Sequence, residues 1–291
     1  MIIVQLMGGL GNQMFQYALG RHLSMKHNVP LKLDLQGFMD NKLRNFDLNC
    51  FNIQENIANL KDLSGVIFPS DNRVRQVKKT LMIKLNGVQQ IQYIKECTSN
   101  FQPEILSLVE NIYLDGYWQS EKYFSDITDI IKKEFIVKYK PDLLNKSYMD
   151  KITDVESVSV HIRRGDYISN PITNQYHGSL DIGYYQNALK IMLKKINNPH
   201  FFVFSDDYEW AERNIKSDSP ITYIKHNSAK NYEDLRLMSM CKHHIIANSS
   251  FSWWGAWLAS NKNKMVIGPQ KWFLGKKYND ADRMPENWIR I

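Results

Sequence analysis

The stretch Ser157-Val158-Ser159-Val160-His161-Ile162-Arg163-Arg164-Gly165-Asp166-Tyr167 decides how this 291-residue chain folds. Its first half alternates apolar and small polar residues, which is the pattern of a strand. Its second half delivers two guanidinium groups, a flexible glycine and a carboxylate where that strand ends. Open α/β sheets bind ligands at the carboxyl ends of their strands. Arginine forks match phosphate oxygens two at a time and stay charged at every cellular pH, so Arg163 and Arg164 point to a phosphate-bearing ligand. The same residues also fit a surface ion pair from Arg164 to Asp166, the commoner meaning of an isolated Arg-Arg pair. The strand-end position and the motifs below favour the ligand.

Working outward from residue 157, the spacing predicts strands at Ser157–Ile162, Phe201–Ser205, Ile221–Ile224, His244–Ala247 and Met265–Gly268. Helical patterns alternate with them at Ile182–Ile196, Tyr208–Ile215, Tyr232–Cys241 and Trp253–Ser260. Short apolar strands separated by helices indicate a doubly wound parallel sheet. The other end of the chain opens in the same way. Met1 to Met7 reads as a buried strand entering a glycine-rich turn, Asn12 to His27 has helical spacing, and Leu31 to Leu35 alternates like a strand. Between residues 36 and 139 the sequence is polar and rich in Asn, with a helix expected over Asn72–Asn86 and a strand at Ile112–Leu114. The expected architecture is α/β with two Rossmann-like domains, residues 1–150 and 151–291, meeting through Lys140-Pro141-Asp142.

Hydrophobic residues make up 43% and charged residues 23%, proportions of a globular chain rather than a disordered one. The formal charge of +7 is spread along the chain, which suits an anionic small molecule or membrane surface at least as well as a nucleic acid. No nucleic-acid module is legible. Cys50, Cys97 and Cys241 form no C-x-x-C pair, so neither a disulfide framework nor a zinc site is expected, and a reducing cytoplasm is the natural compartment. The amino terminus lacks the marks of a signal peptide, and no apolar run approaches the ~18 residues of a membrane span. Arg73, Arg75, Lys78, Lys79 and Lys84 interleave with Val74, Val77, Leu81 and Leu85. That stripe is either a core-facing helix with a solvated side or a peripheral contact with an anionic bilayer.

Three further stretches stand at expected strand ends. In Gly8-Gly9-Leu10-Gly11-Asn12-Gln13 the glycines permit close backbone approach by a ligand, although Met14 stands where a dinucleotide fingerprint has its third glycine. Asn248-Ser249-Ser250-Phe251-Ser252-Trp253-Trp254-Gly255 opens a helix, whose unsatisfied N–H groups and dipole favour an anion; an ordinary N-cap is the plainer reading. Because this start and the arginine pair belong to one sheet, one pyrophosphate can be held by both. Asp206-Asp207 and Glu233-Asp234 either cap their helices or accept hydrogen bonds from a guanine edge or ribose hydroxyls. No P-loop, H-E-x-x-H or G-x-S-x-G motif is present. His243-His244 reads as structural. Asp280-Ala281-Asp282 has metal-binding D-x-D spacing but reads as a solvated loop.

Taken together, Gly8 to Ala18, His161 to Tyr167 and Ser249 to Leu258 resemble, in order, the motifs of glycosyltransferase family 11, the bacterial α-1,2-fucosyltransferases. The likeness spans almost the whole chain; the arginine motif and the Asp-to-Ser segment are also similar, more distantly, to protein O-fucosyltransferases and α-1,6-fucosyltransferases. The resemblance implies a GT-B-like pair of domains facing a central cleft, an acceptor-side N-terminal one and a GDP-fucose-binding C-terminal one. It implies GDP-L-fucose as co-substrate and inversion without a required metal or other cofactor. His161, Arg163, Arg164, Asp206, Asp234, Ser249, Ser250 and Phe251 would bind the donor, with Asp234 on guanosine. Gly9, Gly11, Asn12 and Gln13 would lie across the cleft near the fucose or its acceptor.

The catalytic candidates are Arg164, which would stabilise the leaving GDP in place of a metal, and Asp166 and His177, both chemically able to act as base. Asp166 fits the orienting of an arginine equally well, and a dissociative transition state needs no strong base. The expected reaction is fucosyl transfer to the 2-hydroxyl of a terminal galactose in a lipopolysaccharide or surface-glycan repeat, lipid-linked acceptors included. Its rivals are a nucleotide-sugar-binding protein without turnover and a transferase using another sugar nucleotide.

Overall fold

The computed structural model describes residues 1–39, 44–69, 89–170, 174–175, 178–274 and 280–291. The expected helix at Asn72–Asn86 and its basic stripe lie outside these residues. The chain divides into two units, Met1–Ile136 and Val137–Ile291. The division falls before the boundary expected at residue 150, because the helix Leu143–Thr153 packs into the second unit. There its buried Asn145 exchanges amide hydrogen bonds with Asn227, and Lys151 Nζ donates to Thr222.

In the first unit, β1 (Ile2–Gln5), β2 (Leu31–Asp34), β3 (Gln92–Lys95) and β4 (Ile112–Asp115) form a parallel sheet in the order β2-β1-β4-β3. Ile2, Ile3 and Val4 are fully buried, as expected for a β-branched central strand covered on both faces. The connecting helix α1 (Leu10–His27) ends where Asn28 adopts the left-handed conformation at φ 52°, its N–H turned back to Ser24 and Met25 carbonyls. Shorter helices follow: α2 (Gln36–Met39), α3 (Leu60–Leu63), closed by an Asn59/Asp62 capping box, and α4 (Thr128–Glu134).

The second unit contains β5 (Glu156–Ile162), β6 (Pro199–Ser205), β7 (Ile221–Ile224), β8 (His243–Ile245), β9 (Val266–Gly268) and β10 (Ile289–Arg290). Its helices are α5 (Leu143–Thr153), α6 (Gly165–Ser169), α7 (Ile182–Lys195), α8 (Tyr208–Asn214), α9 (Asn231–Met240) and α10 (Ser250–Leu258). All its strand pairings are parallel, in the order β10-β9-β8-β5-β6-β7. Counted from β5, that is the Rossmann order 3-2-1-4-5-6. Val158, Val160 and Ile162 of β5 bury one face against Tyr185, Ala188, Leu189 and Met192 of α7. The opposite face carries Ser157, Ser159 and His161, and Ser159 Oγ lies 2.8 Å from His244 Nδ1. With His243 Nδ1 accepting from the Met265 N–H, the His243-His244 pair is part of the sheet's own bonding.

Candidate active site

The order of the second sheet reverses between β5 and β8, so the chain leaves these neighbours in opposite directions, and their carboxyl ends are where such sheets bind ligands. β5 delivers Arg163 and Arg164 there. β8 delivers Ser249 and the start of α10. The adjacency expected from sequence is realised: the rings of His161 and Phe251 lie 5.6 Å apart.

The helix α10 begins at Ser250 rather than Trp253, because Ser249 caps it, its Oγ accepting from the Phe251 N–H at 3.3 Å. Ser250 and Phe251 therefore belong to the first turn, where backbone N–H groups lack helical partners. The tryptophans of the motif are structural. Trp253, Trp254 and Trp257 pack on one another at 5.0–6.0 Å, and Trp253 Nε1 donates to the Arg283 carbonyl at 2.7 Å. The entry to the helix is held by Asn248, which donates to the Gly178 and Trp272 carbonyls and accepts the Tyr167 hydroxyl on its own carbonyl.

The two arginines are held differently. Arg163 Nη1 pairs with Asp206 Oδ2 at 3.0 Å. The backbone N–H of Arg164 donates to the other oxygen of Asp206 at 2.8 Å, its Nε donates to Asp207 Oδ2 at 3.1 Å, and its Cζ stands 4.1 Å from the centre of a Trp210 ring. Neither terminal nitrogen of Arg164 has a protein partner among the described residues. Asp206 thus has both oxygens engaged by the arginine segment. Asp207 also caps α8 through the Trp210 N–H at 3.1 Å. Gly165 makes this possible, since a Cβ there would stand 2.8 Å from Asp206 Oδ2. Asp166 lies in α6, and His177 is outside the described residues.

His161 is 5% exposed, and its Nδ1 is buried without a hydrogen-bond partner. Burial lowers its pKa to about 4, with Asp206 opposing and Arg163 reinforcing, so the imidazole is neutral at pH 7. Asp234, in the first turn of α9, accepts from Asn227 Nδ2 at 2.9 Å. Burial nevertheless raises its pKa to about 7, the Asn227 bond opposing and Glu233 adding to the rise. Asn227 is in turn held by Asn145, itself fixed by Asp142. Glu233 turns inward, with Arg236 Nε 3.4 Å away.

In the first unit the glycine turn stands at the carboxyl end of β1, beside β4, where that sheet also reverses. Gly8 has φ +76°, and a Cβ would meet Asn12 Nδ2 at 2.5 Å, so glycine is required. Gly9 faces open space and caps α1, its carbonyl accepting from the Asn12 and Gln13 N–H groups. The helix begins at Leu10, so Gly11, Asn12 and Gln13 lie in its first turn rather than in the loop. Gln13 is fully buried: its Nε2 donates to the Gly8 and Asn45 carbonyls, and its Oε1 accepts from the Asp47 N–H at 2.9 Å. Asn12 Oδ1 accepts from Gln119 Nε2 at 2.6 Å.

Asp280, expected in a solvated loop, instead accepts from the Trp272 N–H and lies 3.6 Å from Arg290 Nη1, tying the last strand to the unit. Among the described residues no group of three or more His, Cys, Asp or Glu is arranged to hold a metal ion, and no helix is long and apolar enough to cross a membrane. Trp210, Asn145 and Gln119 escaped the sequence reading because each acts on a residue distant in the chain, and Asn227 because its link to Asp234, seven residues on, follows no local pattern.

A 37% identical relative, an alpha-1,2-colitosyltransferase of Escherichia coli, aligns over 100% of this chain and 98% of its own length. An O-antigen biosynthesis glycosyltransferase of Escherichia coli, WbnK, is 36% identical over 98% of this chain and 99% of its own. The structure of an Arabidopsis thaliana FUT1 variant in complex with GDP superposes with a TM-score of 0.50 at 12% identity, covering 98% of this chain and 74% of that one, which establishes the shared GT-B fold. The family model described as glycosyl transferase family 11 matches residues 1–291, and the chain belongs to that family.

Proposed function

We propose that this glycosyltransferase moves L-fucose, with inversion, from GDP-β-L-fucose to the 2-hydroxyl of a terminal galactose in a surface glycan or lipopolysaccharide repeat. The observation that carries the proposal is that the neighbouring strands β5 and β8 lead, at their carboxyl ends, to Arg164 with both terminal nitrogens open and to the start of α10, where the His161 and Phe251 rings lie 5.6 Å apart. As the anomeric C–O bond to the β-phosphate breaks, negative charge grows on GDP. Preorganised N–H donors and a guanidinium at that place stabilise it without a metal ion. Neutral His161 adds a hydrogen-bonding nitrogen, and ionised Asp234 would accept from the N1–H and N2–H of guanine. The acceptor hydroxyl attacks opposite the phosphate; Asp166 and His177 are the candidates for taking its proton. Gly9, which faces open space, serves the sugar or its acceptor, and Asn12 supports the turn beneath it. The reaction is assigned to the cytoplasm, at the inner membrane face where the acceptor is lipid-linked.

A second reading draws on the colitosyltransferase relative. Colitose lacks the 3-hydroxyl of L-fucose, so the two donors differ in one group distant from the phosphates. GDP release from each donor, measured with a panel of galactosides in EDTA and followed by linkage analysis, separates the readings. An α-1,2-fucosyl product is expected. Turnover confined to GDP-colitose would move the assignment to the second reading, and turnover with neither by folded protein would reject both.

A further inference from the structure

We infer that Asp207 and Trp210 hold Arg164 in its phosphate-binding orientation, which makes both of them positioning residues for the donor. The inference rests on the donor reading above. An arginine side chain in water samples many rotamers, and a ligand that must order it loses affinity. Here three points fix it beforehand: Asp206 holds the backbone N–H, Asp207 holds Nε, and the guanidinium lies 4.1 Å from the Trp210 ring centre.

Both residues come from one turn of α8. Ser205 Oγ holds the Asp207 N–H at 2.9 Å, and one Asp207 oxygen caps Trp210 while the other takes Arg164. Behind Trp210 stands buried Tyr185, 6.2 Å away and edge-on. The choice of an aromatic partner matters chemically. A second carboxylate on Nη1 and Nη2 would immobilise the guanidinium but occupy the donors a phosphate needs. A ring face immobilises it through the π-system and leaves both nitrogens open. Arg163 lacks this arrangement, with Nη1 taken by Asp206 and a ring centre 5.7 Å distant.

The test is GDP binding by calorimetry, with melting temperature followed in parallel, for W210L, W210F and D207S, each alone and with R164A. Serine also caps helices, so D207S removes the carboxylate from Arg164 while keeping α8 capped. Trp210→Leu and Asp207→Ser are each expected to weaken GDP binding roughly tenfold, and Trp210→Phe by no more than about threefold. In the R164A background none of the three should weaken it further, because the residues act through Arg164. Should Trp210→Leu melt early, Trp210→Met takes its place. Wild-type affinity in the Leu or Met and Ser variants, or equal losses with and without Arg164, would overturn the inference. Absence of GDP binding by the wild-type protein would instead strike the donor reading itself.

Discussion

The two units place comparable features at comparable positions, and treat them in opposite ways. At the glycine turn of the first sheet, the side-chain amides are bonded within the protein: Gln13 makes three hydrogen bonds, Gln16 joins the Met7 N–H to the Gly116 carbonyl, and Asn12 is bound by Gln119, while Trp118 Nε1, just past β4, is buried without a partner among the described residues. At the reversal of the second sheet, hydrogen-bonding capacity is left open on Arg164 and on His161 Nδ1, and Asp234, in the first turn of α9 after the edge strand β7, is buried at an energetic cost. Buried polar groups are normally satisfied, so the unpartnered His161 Nδ1 beside the open Arg164 nitrogens supports the donor-site proposal at the end of β5. The first turn is a scaffold that shapes an open glycine surface. The second carries the residues of the proposed donor site.

The contrast is broken most severely by Arg164→Ala. Loss of a preorganised donor to the leaving group is expected to lower kcat/KM about 100- to 1,000-fold in steady-state assays. The melting temperature should stay within a few degrees, because only one hydrogen bond to Asp207 and one ring contact are lost. An unchanged rate would remove the second unit's claim to be the site of chemistry.

Asp234 comes next, and its sign can be worked out. Its pKa is about 7 in the folded protein against an ordinary 3.8, because burial disfavours the charge, so the folded state favours the protonated form. The resulting stability is complete below the unfolded value and is lost as pH rises through about 7. Asp234→Asn should therefore stabilise the ligand-free protein at pH 8 by on the order of 4 kcal/mol, measured by denaturant unfolding. It should weaken GDP binding at the same pH, and wild-type GDP affinity should fall as pH drops below 7. His161 works in the other direction: with its pKa lowered to about 4, the stability it contributes is full above 6.5 and is lost as pH falls toward 4. A variant at Asp234 that lost stability at pH 8 would show the carboxylate to be scaffold, like Gln13.

Gln13→Ala tests the opposite side of the comparison. Removing its amide strands the Asp47 N–H and the Gly8 and Asn45 carbonyls, at an expected cost of about 3 kcal/mol of stability. Turnover by the protein that remains folded should stay within about twofold, since no term of transition-state stabilisation is removed. A large loss of kcat at unchanged stability would make Gln13 a ligand contact.

These cases show what sequence could and could not tell. The second sheet was legible because its strands are short, apolar and separated by amphipathic helices, and its expected strands match the observed ones to within two residues. The first unit was harder, because β3, Gln92-Tyr93-Ile94-Lys95, is half exposed and lacks a buried strand's apolar run. The motifs that carry the candidate site residues were legible, but the contacts each residue makes were not. Gly8-Gly9-Leu10-Gly11-Asn12-Gln13 marks a turn without telling that Gln13 is turned inward, and Arg163-Arg164 marks a clamp without telling which arginine is free. Those duties are set by Asp206, Asp207 and Trp210, some forty residues away along the chain, and by Asn45 and Asp47.

The smallest expected effect sharpens the comparison most finely, because Ser249 stands between the two treatments. Its Oγ caps α10 at 3.3 Å, a long bond, and the residue is 8% exposed. If the hydroxyl serves only the helix, Ser249→Ala should cost about 1 kcal/mol of stability and Ser249→Gly only a few tenths, as at other N-caps. Should the hydroxyl also meet a phosphate, the two variants would lose GDP affinity alike despite their unequal stabilities, because both lack the same oxygen. Paired melting and calorimetry on the two proteins therefore read the two duties separately. Equal GDP losses are expected, since the second unit keeps its other donors for the ligand; wild-type GDP affinity in Ser249→Gly would return Ser249 to the class of Gln13.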